Sequence, residues 1–239
     1  MVVGNAQCCG MQNVVDAQIE LAVVDMAGTT VADDGLVIQA FDEAATAVGV
    51  PADGDERDDA RRYVLDTMGQ SKIEVFRALF GDEERAQQAN RTFESAYRNS
   101  VGAGVRPIPG AAEAISQLRG AGVKVVLTTG FSGATQALLL DALGWGDIAD
   151  LVLAPGDGVR GRPYPDLVFS ALMRTGIDDV AKVAVAGDTT SDVLSGLRAG
   201  AQIVAGTLTG AHDEAALRGA GATHVLASIA DFPPLILSH

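Results

Sequence analysis

Asp25 closes the apolar run Glu20-Leu-Ala-Val-Val-Asp25, and Thr128-Thr129-Gly130 closes a second apolar run that begins at Lys124. Arg162 stands in Gly161-Arg-Pro-Tyr-Pro165. Asp188 and Asp192 stand in Gly187-Asp-Thr-Thr-Ser-Asp192, directly after the run Lys182-Val-Ala-Val-Ala186. Carboxylate oxygens are hard donors that suit Mg2+, and a carboxylate can also attack an electrophile and carry a group covalently. A guanidinium, a hydroxyl and free backbone N–H groups neutralise phosphoryl oxygens. Singly, each string reads as a turn or a helix cap. All four, in this order and each at the end of an apolar run, form an inventory for handling a phosphoryl group with a magnesium ion.

These residues meet only if the elements carrying them are aligned. Short apolar runs predict strands at 20–25, 124–128, 151–153, 182–186, 202–204 and 224–226. Helical periodicity predicts helices between them, from Gly110 to Leu118, Ser132 to Leu143, Asp166 to Arg174, Asp192 to Ala199 and Glu214 to Leu217. Strands alternating with helices predict an α/β fold with a doubly wound, Rossmann-like parallel sheet. Ligands bind such sheets at the carboxyl ends of the strands, where the polar residues above fall. The stretch 51–106 is helical and rich in charge, with 53–62 as a polar face. Together with the helix beginning at Val37 it forms an insert directly after the first strand.

Composition excludes other functions. The chain has 239 residues, a net charge of -14, and 17 basic residues of which Lys72, Lys124 and Lys182 are the only lysines. With no excess positive charge, no nucleic-acid partner is expected, and no polybasic stretch offers itself to a membrane. No run of about 18 apolar residues is present, so no span is expected. Residues 1–17 read as a flexible leader without signal-peptide character, carrying adjacent Cys8 and Cys9 as reduced thiols in a cytoplasmic protein.

The strand-end set resembles the motifs of the haloacid dehalogenase superfamily, over roughly residues 18–33 and 107–239, with residues 34–106 where that family places a helical cap. The resemblance implies Asp25 as nucleophile, and Thr129, Arg162 and the Gly130 N–H as holders of the transferring group. It places the loop residues Ala27, Gly28 and Thr29 beside the phosphoryl group. Mg2+ is implied at Asp25, the Ala27 carbonyl and Asp188, with Asp192 either a ligand or a residue that holds one.

Most phosphatases of the superfamily read Asp-x-Asp, the second Asp protonating the leaving oxygen. Here the string is Asp25-Met-Ala27-Gly-Thr-Thr30, and alanine has no proton to give. This form is similar to phosphonoacetaldehyde hydrolases, as are Thr128-Thr-Gly130 and Gly161-Arg-Pro-Tyr-Pro165. In that branch a lysine in a Met-Gly-x-x-Lys string forms a Schiff base with the substrate aldehyde, and this chain has Met68-Gly-Gln-Ser-Lys72. A carbon leaving group needs an electron sink, which an iminium supplies. Ser71-Lys-Ile-Glu74 predicts a capping box, which puts Lys72 in a first helical turn, where the dipole lowers an ammonium's pKa. The branch pattern also has a histidine three residues after the lysine and an aromatic hydroxyl after Thr-Thr-Gly; here these are Val75 and Phe131, and Ala32-Asp-Asp-Gly35 differs as well. The chain therefore looks more like a phosphonatase-like sister group.

The expected function is Mg2+-dependent hydrolysis of a small phosphonate through an aspartyl phosphate, with Lys72 as the Schiff-base lysine. The alternative is a phosphatase or phosphotransferase acting on a small phosphate ester, in which Lys72 only binds substrate. The resemblance allows a homodimer through the cap helices. His212, His224 and His239 read as surface residues, Asp157 as a turn former, Trp145 as packing, and Lys124 and Lys182 as solvated strand-entry residues.

Overall fold

A computed structural model of the protein describes residues 18–101 and 104–238. The expected leader, with Cys8 and Cys9, and His239 lie outside the described residues. Six parallel strands form one sheet in the order β3-β2-β1-β4-β5-β6. They are β1 (Leu21–Asp25), β2 (Lys124–Thr128), β3 (Leu151–Leu153), β4 (Val183–Gly187), β5 (Ile203–Thr207) and β6 (His224–Leu226). All five residues of β1, β4 and β5 are buried. Strands this apolar need a layer on each face, which the crossover helices supply. These helices are α5 (Ala111–Gly120), α6 (Gly133–Leu143), α7 (Asp166–Thr175), α8 (Thr190–Ala199) and α9 (Glu214–Gly219). Strand order reverses direction between β1 and β4, the position where doubly wound sheets open a crevice.

Three local outcomes differ from the sequence expectation. Lys182 belongs to a 3-10 turn capped by the Asp179 side chain, so β4 starts one residue later. β5 continues through Ala205, Gly206 and Thr207, because the first two still pair with both neighbours and Thr207 with β6. A terminal helix, α10 (Phe232–Leu237), follows. Two prolines at its start hid it from a periodicity reading, although proline is tolerated in a first turn.

The cap is built from α1 (Leu36–Ala47), α2 (Asp55–Asp66), α3 (Lys72–Phe80) and α4 (Glu83–Val101), all between β1 and β2. The chain leaves and re-enters the core side by side, with the Ala32 N–H donating to the Arg106 carbonyl and the Ile108 N–H to the Thr30 carbonyl, both at 2.9 Å. The expected polar face at 53–62 is interrupted by Arg57, which is 1% exposed. Its guanidinium donates to the carbonyls of Asp42, Val50 and Pro51, so it ties α1 to the loop that follows it. Inside the cap, Phe41 stacks on Phe76 at 6.0 Å and Phe76 meets Phe93 edge-on at 5.9 Å. Tyr97 then reaches Phe131 of the core at 4.4 Å, so one aromatic line crosses from cap to core. No described helix is long and apolar enough to cross a membrane.

The cap's α2–α3 turn presses directly on the β2–α6 loop. A Cβ at Gly130 would stand 2.5 Å from the Gln70 carbonyl oxygen and 2.8 Å from that of Gly69. Both are backbone atoms with little room to yield, so this contact requires glycine. Gly130→Ala should therefore lower the unfolding free energy by about 1–3 kcal/mol, as overpacking does. A denaturation midpoint equal to that of the unmodified protein would show that cap and core are not seated this closely.

Candidate active site

Asp25 ends β1 and Asp188 directly follows β4, so strand pairing alone brings both carboxylates to the switch point. Thr29 Oγ1 donates to Asp188 Oδ1 at 3.0 Å, and the Ala211 N–H to Asp188 Oδ2 at 2.7 Å. Gly28, at φ +85°, passes so close to Asp188 that a Cβ would overlap its carboxylate. Asp192 lies in the first turn of α8 and closes a capping box with Thr189. One Arg162 nitrogen, NH1, donates to both Asp25 Oδ1 and Asp192 Oδ1.

Arg162 is 5% exposed, yet its Nε and NH2 have no partner. Buried donors are ordinarily satisfied. Two orphaned guanidinium nitrogens beside an aspartate are therefore what an anionic substrate would complete. Burial opposes the charge of Arg162, but Asp192 and Asp25 outweigh it, so the guanidinium stays ionised.

Oxygens of Asp25, Asp188 and Asp192 all lie within 4.8 Å of one another. Burial pushes the Asp25 carboxyl well above its ordinary value, against the attraction of Arg162, and the other two carboxylates add to the rise. Burial and the nearby Asp192 raise Asp188 to about 6. One guanidinium thus faces three carboxylates, and the hard oxygen set with its excess negative charge fits a divalent cation such as Mg2+. Both Asp192 oxygens are already bonded, to Arg162 and to Thr189, which makes Asp192 the least free of the three.

A cavity of about 340 Å³ opens above this cluster, between core and cap. Asp25, Ala27, Gly28, Met68, Lys72, Thr129, Gly130, Arg162 and Asp188 all line it, so it joins most of the sequence-derived set. Thr29 does not line it. It is fully buried, its hydroxyl holds Asp188 and its N–H donates to the Met26 carbonyl at 3.2 Å. The Gly28 N–H is likewise spent on the Val31 carbonyl at 2.7 Å, so neither N–H faces a ligand.

Lys72 is the first residue of α3, as expected, but the capping box is not formed. Ser71 makes no side-chain cap and Glu74 pairs with Arg77 at 2.6 Å instead. Lys72 is 9% exposed, with Nζ 5.5 Å from the Phe131 ring centroid and 6.0 Å from that of Phe93. Its pKa is lowered to about 8, in the expected direction, but mainly by burial and then by Arg162. Lys124 and Lys182 pair with Asp150 and Glu20 at the opposite end of the sheet.

Three residues of the site were not anticipated. Asp33 lines the cavity, its Oδ1 accepting the Val37 N–H at 3.2 Å. Glu94 of α4 accepts from the Ser132 N–H, the Ser132 hydroxyl and the Thr135 hydroxyl, and so ties the cap to the start of α6 beside Lys72. His212 is not remote, as expected, but bridges core and cap. Nδ1 accepts the Thr190 N–H at 2.8 Å, which leaves Nε2 to donate to the Leu65 carbonyl at 3.2 Å. Only the run Asp33-Asp34 carried a visible signal, as a departure from the family string; the other two are ordinary polar residues in sequence.

Fold and site together define a hydrolase with a doubly wound α/β core whose inserted helical cap lies over strand-end carboxylates. The chain belongs to the haloacid dehalogenase-like hydrolases, whose family model matches residues 19–200. It is 30% identical over 207 residues to phosphonoacetaldehyde hydrolase of Pseudomonas aeruginosa, covering 81% of this chain and 74% of the relative. It is 27% identical over 231 residues to the protein named "Probable phosphatase IndB" of Dickeya dadantii, covering 89% of this chain and 97% of the relative. The crystal structure of a phosphonoacetaldehyde hydrolase-like protein from Oleispira antarctica shares the fold at TM-score 0.80 and 23% identity, covering 100% of this chain and 96% of that one.

The acidic cluster has a measurable consequence. Asp188 titrates near 3.8 when unperturbed and about 6 in the fold, so the stability gained by keeping its proton is present below about 3.8 and lost as pH rises through about 6. A bound cation relieves the same repulsion. Millimolar Mg2+ should therefore raise the thermal midpoint at pH 8 and have little effect at pH 5. Equal shifts at both pH values would contradict a cation held by these carboxylates.

Proposed function

We propose that this protein is a Mg2+-dependent hydrolase that cleaves the phosphorus–carbon bond of phosphonoacetaldehyde or a related small phosphonate, with a cap over 34–106 covering a core of 18–33 and 107–239. The observation that carries this reading is the Lys72 amine, buried in the same cavity as Asp25 and lowered to about 8. An amine in that range is in large part neutral near pH 8 and can attack an aldehyde. Ala27, two residues past Asp25, offers no proton for a leaving oxygen, which matches a carbon leaving group.

Lys72 Nζ condenses with the aldehyde carbon and releases water, leaving an iminium. Asp25 then attacks phosphorus. The electrons of the phosphorus–carbon bond pass into the iminium, which becomes an enamine, and the phosphoryl group remains on Asp25. Arg162 Nε and NH2, the Gly130 N–H and the Thr129 hydroxyl hold the phosphoryl oxygens during transfer. Asp25, the Ala27 carbonyl and Asp188 would hold Mg2+, while Asp192 fixes Arg162. The cation, when bound, supplies charge neutralisation at phosphorus. Water hydrolyses the aspartyl phosphate, the enamine is protonated and the imine hydrolysed, and Lys72 is free again. The cap keeps bulk water from the iminium.

A second reading is supported by the phosphatase relative and by the absence of a proton-carrying side chain at Val75 and Phe131. In it, Lys72 and Arg162 grip a small phosphate ester, and Asp25 performs the same attack.

Borohydride added with phosphonoacetaldehyde should trap a covalent adduct at Lys72, detected by peptide mass spectrometry. Full turnover in Lys72→Arg would sink the Schiff-base reading in favour of the ester reading. Asp25→Asn should abolish turnover of phosphonates and phosphate esters alike in a discontinuous phosphate assay; surviving activity would remove Asp25 as nucleophile.

A further inference from the structure

We propose that Asp33 carries the proton that Lys72 needs to form and release its imine, making it the proton-transfer partner of the Schiff-base lysine. The inference rests on the phosphonate reading above and assigns that site one further residue.

Imine formation needs more than a neutral amine. After Nζ attacks the aldehyde carbon and its proton passes to the oxygen, the carbinolamine hydroxyl must leave. It leaves as water only if an acid protonates it while the nitrogen lone pair forms the C=N bond. That acid then remains as a carboxylate beside the cationic iminium, and the reverse step returns its proton. General acid–base help of this kind is worth about 10²–10⁴-fold.

The groups facing Lys72 from the packed elements are Arg162, Asp33, Asp25 and Glu94, with the Phe93 and Phe131 rings and with Tyr97 beside the same carboxylates. Arg162 does not give up its proton. The rings have none to give, and Val75 on the next turn of α3 is apolar. Asp25 is engaged with Arg162 and reserved for attack on phosphorus. Both oxygens of Glu94 accept from Ser132 and Thr135. Burial raises the Tyr97 phenol far above its ordinary value, so it does not cycle.

Asp33 remains. It lines the cavity that Lys72 lines, and the Val37 N–H at the start of α1 fixes its Oδ1 at 3.2 Å. Burial raises its carboxyl, while the Val37 N–H and Lys72 pull it back. Its neighbour Asp34 is exposed and pairs with Arg106 at 2.7 Å, so the two acids differ in environment.

The test measures imine formation itself, as the rate of borohydride-trapped adduct at Lys72 with phosphonoacetaldehyde, together with phosphate release. Asp33→Asn keeps an oxygen for the Val37 N–H, so the fold should hold, as an unchanged thermal midpoint would show. Trapping rate and kcat should both fall by about 10²–10³-fold, with KM little changed. Asp33→Glu should recover part of the loss, and Asp34→Asn should behave as the unmodified protein. Across pH, the unmodified protein should show a bell, rising as Lys72 loses its proton and falling as Asp33 loses its own, whereas Asp33→Asn should keep only the rising limb. Trapping by Asp33→Asn at the unmodified rate would overturn the role of Asp33 and leave the Schiff-base reading standing. Absence of any Lys72 adduct in the unmodified protein would overturn both.

Discussion

The site depends on one guanidinium held between two carboxylates in a place that water barely reaches. Arg162 joins Asp25 to Asp192, with a third acid, Asp188, in the same cluster. Burying several like charges together is costly, and removing the single positive partner would leave them uncompensated. Much of the surrounding structure serves this arrangement. Thr29 and the Ala211 N–H hold Asp188, Thr189 holds Asp192, and Gly28 and Gly187 leave room where any side chain would overlap a carboxylate. Arg162 keeps two nitrogens in reserve, so the guanidinium that organises the acids also presents donors to an incoming anion.

The cap adds a second constraint. Its aromatic residues continue across the interface to Phe131, so the seated cap also shields Lys72 from water. Desolvation lowers the amine toward neutrality while Asp33 and Asp25 attract its charge. The same burial that disfavours a charged lysine raises the carboxyl of Asp33. A lowered lysine pKa and a raised aspartate pKa therefore arise from one cause, a dry cavity between two sets of helices.

The sheet was legible because buried parallel strands are short apolar runs, and those at 20–25, 124–128, 151–153, 182–186, 202–204 and 224–226 stand out from their polar surroundings. The strand-end residues were legible for the same reason: a polar residue that ends an apolar run must emerge at the sheet's edge. Arg57 was not legible, because a buried arginine in a charged helix differs from its neighbours only through the carbonyls it meets. Glu94 and His212 were hidden likewise, since each acts across more than thirty positions of chain, on Ser132 and on Leu65.

By itself, then, the amino-acid order determined which residues could meet at the carboxyl edge, because the parallel alignment of β1, β2 and β4 follows from local hydrophobic pattern. It also placed Lys72 at a helix start, although the capping box that suggested this does not form. Only the tertiary structure decided how those groups are charged and what they touch. The lowered Lys72 owes its state to burial by α4 and the β2–α6 loop rather than to a capping box. Thr29 turns inward to Asp188, and Asp33 shares the cavity with Lys72. Solvation and contact across the cap–core boundary depend on segments distant in the chain, and no local pattern encodes them.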